Sequence, residues 1–241
     1  MRATLVWGSN TGVGKTLVSA GLVRAAAARQ LGALFLKPVQ TGAPASDGEA
    51  VAVLAGIRHS AAAHARAATS APDTDVPATT SHAVDPADAP IPSRASTLFA
   101  WRLAASPHMA VASEGRPVAD AAVVDETRAA VSAFRAEGGS FAIVETAGGV
   151  ASPAPSGALQ CDALRPLGWP AVLVGDGRLG GISATVCASE ALAARGHELA
   201  AVVLLRAATG ASDFGNADAL RAHFDARGGV PVFELDPPPP E

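Results

Sequence analysis

Short apolar runs alternate with helix-length amphipathic segments along most of the chain. Five of these runs, beginning at Ala3, Ala33, Phe141, Pro170 and Leu199, are four to seven residues long and rich in Val, Leu and Ala. Uninterrupted apolar runs of this length are typical of strands that are buried on both faces of a parallel sheet. The alternation of strands and helices therefore predicts an α/β fold with a doubly wound, mostly parallel sheet.

Some element boundaries can be placed from single residues. The strand that begins at Ala33 is expected to stop at Lys37, because Pro38 lacks the N–H group that a strand ladder needs. Ser46 opens a predicted helix with acidic residues in its first turn. Residues 118–134 carry apolar side chains at helical spacing and predict a long amphipathic helix.

The chain of 241 residues is long enough for one large α/β domain, to which we assign residues 1–236. Within it, residues 57–92 are rich in Ala, Thr, Ser, His, Asp and Pro with little periodicity, so an irregular excursion is expected there. Residues 237–241 carry a run of prolines, which predicts a stiff tail suited to a linker.

The charge balance argues against polyanionic partners. The net charge is -4, there is no basic block, and only 4% of the residues are aromatic, so we expect no binding to nucleic acid or to an anionic membrane. No apolar run approaches the roughly 18 residues needed to span a bilayer. The predicted protein is soluble and intracellular, in the cytoplasm or the mitochondrial matrix, and its partner is a small molecule.

A glycine-rich segment directly follows the first predicted strand. Residues 8–16 read Gly-Ser-Asn-Thr-Gly-Val-Gly-Lys-Thr and precede an Ala/Val/Leu-rich segment. The spacing is longer by one residue than the standard phosphate-binding loop G-x-x-x-x-G-K-[ST], but the order of strand, glycine loop and helix is kept. Such a loop attracts phosphate through its backbone N–H groups and the helix N-terminus. Because Lys15 adds a charge and Thr16 a hydroxyl for Mg²⁺, we expect a nucleoside triphosphate here.

Polar residues also follow two other predicted strands. Lys37 and Thr41 come after the second strand, and Glu145 ends a later one. Because ligands of open parallel sheets bind beyond the carboxyl ends of the strands, we expect these side chains near the glycine loop. A carboxylate at the tip of a core strand is costly unless it is paired or holds a cation, so Glu145 is assigned to Mg²⁺, with a capping or salt-bridged carboxylate as the alternative. Gly148 and Gly149 allow backbone donors to approach a ligand closely.

With these residues assembled, the chain resembles dethiobiotin synthetase over nearly its full length, and most of all the synthetase half of the bifunctional plant and fungal proteins that also carry diaminopelargonate aminotransferase. The resemblance rests on blocks in the same order at residues 8–16, 37–42, 106–108 with 114–117, 145–149 and 175–183. It implies a P-loop NTPase-like fold and the ATP- and Mg²⁺-dependent carboxylation of 7,8-diaminononanoate with CO₂ to dethiobiotin. It also implies a homodimer, and the proline-rich tail suggests the start of a linker to an aminotransferase domain.

The same resemblance implies roles for single residues. The nucleotide is expected on Gly12, Val13, Gly14, Lys15, Thr16 and Leu17. Catalysis is assigned to Lys15, Lys37 and Thr11, with the two ammonium groups neutralising carbamate and γ-phosphate oxygens. The diamine and its carbamate are expected to contact Thr11, Lys37, Thr41, Gly148, Gly149 and Val150. The metal ligands are Thr16, Glu145 and an acid at the start of the second helix, for which Glu49 fits best and Asp47 is the alternative.

The chain departs from the bacterial members of that family at two places. Gly12 stands where they carry an acid, which removes a side-chain contact to the substrate. They also have an asparagine that reads adenine after the strand that ends here at Leu205, whereas this chain continues with Arg206 and Ala207. Recognition of the base is therefore expected to differ.

Two other functions share part of this sequence pattern. An ATP-dependent amidoligase of the same superfamily needs a glutamine-handling domain with a nucleophilic cysteine, for which the chain has no room. An ATP-driven switch of the partition or division-site type uses a similar loop, with an additional lysine where this chain has Ser9 and Asn10. The synthetase is the predicted function, and the switch is the alternative.

Overall fold

The computed structural model describes residues 2–42, 46–56, 58–61, 93–206 and 214–236. The strands are β1 (Arg2–Gly8), β2 (Ala33–Thr41), β3 (Arg58–Ala61), β4 (Arg94–Trp101), β5 (Phe141–Glu145), β6 (Ala171–Val174), β7 (Leu199–Leu205) and β8 (Val232–Leu235). The helices are α1 (Lys15–Ala27), α2 (Ser46–Ala55), α3 (Pro107–Glu114), α4 (Asp120–Ala136), α5 (Gln160–Ala163), α6 (Gly181–Ala193) and α7 (Asn216–Asp225), with a 3₁₀ turn at Arg165–Leu167.

The described strands form one sheet in the order β3-β4-β2-β5-β1-β6-β7-β8. All of its pairings are parallel. The chain starts at β1 in the interior of the sheet and winds outward to both edges, which confirms the predicted doubly wound α/β fold. Because parallel strands place their carboxyl ends at one edge, β1, β2 and β5 end close together.

The side chains of alternate residues of β1 are buried in two different apolar clusters. Leu5 and Trp7 are buried in a cluster that includes Phe134 of α4. Val6 is buried in a second cluster together with Val18 of α1. Helices therefore cover both faces of the sheet, which explains why its central strands read as continuous apolar runs.

The second strand is longer than the sequence predicts. β2 runs through Lys37 and Pro38 to Thr41, so the expectation that it stops at Lys37 is wrong. It pairs with β5 only as far as Leu36, whereas its pairing with β4 continues to Thr41. Pro38 therefore lies where one flank of β2 has no partner strand, and a proline is tolerated at such a position. As a result, Lys37 belongs to a strand rather than to a turn.

Part of the segment expected to be irregular is a strand. Residues Arg58–Ala61 form β3 at one edge of the sheet, where they pair with β4. The expectation for 57–92 is therefore wrong for these residues, and the remainder of that segment lies outside the described residues, as does the proline-rich tail at 237–241. Within the described ranges, no helix is long and apolar enough to cross a lipid bilayer.

Candidate active site

The glycine loop between β1 and α1 needs glycine at its last position. Gly14 has a φ of 94° and is the N-cap of α1. A Cβ atom on Gly14 would lie 2.2 Å from Cδ1 of Leu205, the last residue of β7. The left-handed backbone and this contact both exclude a larger residue. The helix therefore begins at a fixed place, at Lys15.

The side chain of Lys15 turns back over the end of β1. Its Nζ atom lies 3.0 Å from the place where a Cβ would stand on Gly8, and the residue is only 7% exposed. Burial and the positive charge of Lys37 lower the pKa of Lys15 to about 8, against the opposing effect of two nearby carboxylates. A buried ammonium of this kind gains stability when an anion such as phosphate lies beside it.

Oxygen atoms surround the ammonium of Lys37. Its Nζ lies 2.7 Å from Oε1 of Glu145 and 2.8 Å from Oδ2 of Asp47, and it donates to the main-chain carbonyl of Thr146 at 3.1 Å. Burial alone would lower the pKa of Lys37, but the two carboxylates outweigh burial and raise it above its usual value. Lys37 is thus held as a cation at the carboxyl edge of the sheet.

Glu145 connects β5, β2 and α1 in one polar cluster. It is fully buried at the last position of β5. Besides its ion pair with Lys37, its carboxylate accepts hydrogen bonds from Oγ1 of Thr16 at 3.2 Å and from Oγ of Ser19 at 2.7 Å. One cation and two hydroxyl groups thus satisfy a carboxylate whose burial would otherwise be very costly.

The loop that follows β5 packs directly on the glycine loop. The N–H of Thr146 donates to the carbonyl of Val6, and the N–H of Val150 donates to the carbonyl of Gly8, each at 3.0 Å. Between them, Gly148 has a φ of 70°, and a Cβ on it would lie 2.5 Å from a neighbouring serine hydroxyl. The two loops therefore form one rigid wall at the end of β1.

One cleft collects most of the predicted site residues. It has a volume of about 490 Å³ and opens between the glycine loop, the end of β2, the start of α2 and the loop after β5. The predicted residues that line it are Thr11, Gly12, Gly14, Lys15, Thr16, Lys37, Thr41, Asp47, Glu145 and Gly148. Both lysines and both carboxylates of the polar cluster therefore face the same space.

The other predicted residues have different surroundings. Val13 is buried in the apolar cluster beside α1, and Leu17 is partly buried. Gly149 and Val150 line a second groove, which includes Ser9 of the glycine loop. The first cleft is lined by their neighbours in the chain.

The two acids in the first turn of α2 differ in position. Asp47 lines the cleft and pairs with Lys37, whereas Glu49 is exposed. The structure thus brings Asp47, the alternative, beside Glu145 and Thr16. Groups of three His, Cys, Asp or Glu side chains that could hold a metal do not occur among the described residues. Two carboxylates and a hydroxyl nevertheless fit Mg²⁺, which in nucleotide sites takes one or two carboxylates together with phosphate and water.

Two buried polar side chains near the cleft were not found by sequence reasoning. Ser19, which bonds Glu145, stands on an otherwise apolar part of α1. It follows Thr16 at helical spacing, a signal that could have identified it. Gln160 bonds both main-chain groups of Ala147. Nothing in the local sequence marks Gln160, because its partner is distant along the chain.

The region beyond β7 is held by contacts of Arg206 and Asn216. Arg206 forms an ion pair with Asp236 at 3.0 Å. Asn216 is buried and its Nδ2 donates to the carbonyls of Asp176 and Arg178 at 3.0 and 2.9 Å. Asn216 therefore ties the start of α7 to the second glycine-rich turn, the loop between β6 and α6.

Comparison with known proteins places the chain among related sequences. A protein family described as an AAA domain matches residues 2–233. The chain is 42% identical over 233 residues to a bifunctional dethiobiotin synthetase/7,8-diamino-pelargonic acid aminotransferase, mitochondrial, of Oryza sativa, covering 84% of this chain and 27% of that protein. It is 33% identical over 216 residues to the ATP-dependent dethiobiotin synthetase BioD of Anaeromyxobacter dehalogenans, covering 88% of this chain and 79% of that protein.

The extent of these matches differs between the two kinds of relative. The chain spans between 22% and 31% of the length of the bifunctional plant and fungal relatives. Among solved structures, the signal recognition particle 54 kDa protein of Aeropyrum pernix in complex with GDP has a TM-score of 0.54 at 15% identity, covering 97% of this chain and 41% of that one. This likeness supports the P-loop NTPase-like fold.

Proposed function

We propose, from the premise that this chain belongs to the dethiobiotin synthetase family, that it closes a cyclic urea on 7,8-diaminononanoate with CO₂ and ATP. The product is dethiobiotin, an intermediate of biotin biosynthesis, and ADP and phosphate are released. The observation that carries the proposal is the convergence of Lys15, Lys37, Asp47 and Glu145 on one cleft beside the glycine loop.

The chemistry gathers negative charge at every stage. One amine of the substrate captures CO₂ and loses a proton, which leaves a carbamate. A carbamate oxygen then attacks the γ-phosphorus of ATP, and ADP leaves. The second amine attacks the carbamoyl carbon, the C–O bond to phosphate breaks, and the ring closes. Each step brings oxyanions together, so fixed positive charge in the cleft is the main catalytic requirement.

The two lysines supply that charge from different sides. Lys15 projects from the start of α1 over the end of β1, where the glycine loop would hold the triphosphate. Lys37 projects from β2 and would meet the carbamate and the γ-phosphate. Thr11, Thr41 and the backbone at Gly148 line the same cleft and would orient the diamine. In this proposal the protein acts by positioning and by neutralisation.

Magnesium is proposed as the second cofactor. The hydroxyl of Thr16 and the carboxylates of Glu145 and Asp47 would hold it, and when bound it supplies positive charge to the phosphate oxygens. In the structure these carboxylates share the ammonium of Lys37. Lys37 therefore lies beside the proposed ligands, where its ammonium would face an anionic substrate in the same cleft.

The oligomeric state, the partner enzyme and the compartment are also proposed. We propose a homodimer, which sedimentation would test. The name of the rice relative includes an aminotransferase as well as the synthetase. We therefore propose that this protein too is paired with or fused to an aminotransferase. The compartment is proposed to be the cytoplasm or the mitochondrial matrix.

The test is the dependence of ATP turnover on each substrate. Purified protein is assayed for phosphate release with ATP, Mg²⁺, bicarbonate and diaminononanoate, and each component is withheld in turn. The proposal predicts turnover only in the complete mixture. Robust ATP hydrolysis without the diamine would instead support the ATP-driven switch, because a switch needs no small-molecule acceptor.

A further inference from the structure

We infer that Gln160 is a positioning residue that holds the loop after β5 in its catalytic shape by acting through Ala147. This inference rests on the proposed function, because it assigns the loop a task in ring closure. Gln160 is the first residue of α5 and is 4% exposed. It is not in the lining of the cleft but lines a small neighbouring cavity of about 10 Å³ together with Glu145 and Ala147. We therefore expect it to act on the loop rather than on the substrate.

The amide of Gln160 pairs with both main-chain groups of one residue. Its Oε1 accepts the N–H of Ala147 at 3.1 Å, and its Nε2 donates to the carbonyl of Ala147. A primary amide offers one acceptor and donors in one plane, which matches the peptide groups of an extended chain as a neighbouring strand would. Gln160 therefore replaces a strand partner where β5 has ended.

The residues on both sides of Ala147 belong to the site. The carbonyl of Thr146 accepts a hydrogen bond from Lys37, and Gly148 lines the cleft. A rotation of the peptide groups at Ala147 would therefore change both the setting of the Lys37 ammonium and the wall that faces the substrate. Thr146 and Gly148 flank Ala147 directly, so both would be affected by such a rotation.

Gln160 also contacts the later part of the loop, at Ser152. Its main-chain N–H donates to the carbonyl of Ser152 at 2.9 Å, and Oγ of Ser152 accepts the N–H of Gly149 at 2.8 Å. The side chain and the backbone of Gln160 thus bridge the two ends of the turn. These contacts add to the hydrogen bonds that Thr146 and Val150 donate to the end of β1.

The first experiment compares two buried substitutions. Gln160→Met keeps the length of the side chain but removes both hydrogen bonds to Ala147. Thr127→Val is the matched control: Thr127 is buried, and its hydroxyl donates to the carbonyl of Val123 within α4, away from the loop after β5. Activity per folded molecule is measured for both. Since a misplacement of about 1 Å can cost about 100-fold in rate, kcat of Gln160→Met should fall about 10- to 100-fold, with the KM for ATP changed less than about threefold.

The second experiment uses low pH to restore the hydrogen bonds to Ala147 in a variant at position 160. In Gln160→Glu, the protonated carboxyl group has one donor and one acceptor like the amide, whereas the ionised group has only acceptors and faces the carbonyl of Ala147. The activity of Gln160→Glu relative to the parent protein should therefore rise as the pH falls. A ratio that does not change with pH would contradict the inference.

A third readout does not depend on turnover. Hydrogen exchange at the amides of Ala147 and Gly148 should be at least about tenfold faster in Gln160→Met and unchanged in Thr127→Val. Unchanged exchange, or a kcat equal to that of the control, would overturn the role of Gln160. If the parent protein itself fails to turn over the diamine, the proposed function fails, and the exchange measurement still decides whether Gln160 fixes the loop.

Discussion

Lys37 and Glu145 are cross-strand neighbours one residue beyond the last paired positions of β2 and β5. The ladder ends at Leu36 opposite Val144, and the next residues on each strand bring Nζ of Lys37 to 2.7 Å from Oε1 of Glu145. Register alone therefore places a buried ammonium against a buried carboxylate, at the edge where the sheet meets the glycine loop.

Removal of the Lys37 ammonium should affect both activity and stability. Lys37→Met leaves Glu145 buried without its ion-pair partner, and breaking one side of a buried pair costs about 3 to 5 kcal/mol. Loss of a charge aimed at developing oxyanions should lower kcat by about 100-fold or more. Chemical denaturation and phosphate release would measure the two effects, with activity normalised to folded protein.

A partly exposed ion pair supplies the control for that substitution. Arg94 and Glu137 approach to 2.5 Å with side chains that are 34% and 48% exposed, and such pairs contribute about 0 to 1 kcal/mol. Arg94 also lies over the ring of Phe134, 5.2 Å from its centroid, so Arg94→Met should cost no more than about 1 to 2 kcal/mol and leave kcat unaltered. Equal losses in the two variants would show that Lys37 has no special role.

Stability without ligand should depend on Lys15 in the alkaline range. Its pKa is lowered to about 8 in the folded chain from 10.5, so between these pH values the unfolded state binds more protons and stability rises with pH. At pH 7 the buried charge costs on the order of 3 kcal/mol. Lys15→Met should be more stable than the parent at pH 7, and the difference should shrink by pH 10.5.

The comparison must be made without nucleotide and with chelator, since an anion near Lys15 restores its charge. The informative quantity is the difference in unfolding free energy between the two proteins, because other groups titrate in both. A difference that stays constant across the range would contradict a depressed pKa at Lys15.

Two loop glycines should respond differently to alanine. Gly12 has a φ of 73° and no atom within 4 Å of an added Cβ, so Gly12→Ala carries only the left-handed backbone cost of about 1 to 2 kcal/mol. Gly14→Ala must also displace Leu205, which adds about 1 to 3 kcal/mol. Thermal unfolding would compare them, and a smaller loss for Gly14→Ala would mean that β7 does not buttress the loop.

The acids of α2 should differ in their effect on the requirement for Mg²⁺. Asp47 lies 2.8 Å from Lys37 in the cleft, while Glu49 is exposed. Asp47→Asn should raise the Mg²⁺ concentration needed for half-maximal turnover far more than Glu49→Gln. A larger effect of Glu49→Gln than of Asp47→Asn would instead support Glu49 as the metal ligand, as the sequence favours.

Much of the framework follows from local sequence patterns. The strand, glycine loop and helix around Lys15 were predicted from the order of residues, and Ser46 and Leu199–Leu205 mark observed element boundaries. Burial of Glu145 at a strand end followed from the apolar run before it. These features depend on neighbours in the sequence, which is why pattern reasoning finds them.

Features that depend on contacts with other segments of the chain could not be predicted from local sequence patterns. Whether Pro38 ends a strand depends on which flank is paired, and this is known only once β4 and β5 are in place. Asp47 and Glu49 are separated by about 200° around a helix, so the rotation of α2 decides which one enters the cleft. Gln160 meets Ala147 only through the return of the chain after the loop.

Transfer of labelled carbon from bicarbonate to the product is the direct test of whether this protein forms a cyclic urea. The protein is incubated with ATP, Mg²⁺, diaminononanoate and ¹³C-bicarbonate, and the product is examined by mass spectrometry. We expect a cyclic urea that carries one labelled carbon for each ADP formed. Formation of ADP without any labelled ring would contradict the claim that Lys15, Lys37 and the paired carboxylates serve carbamate chemistry in this cleft.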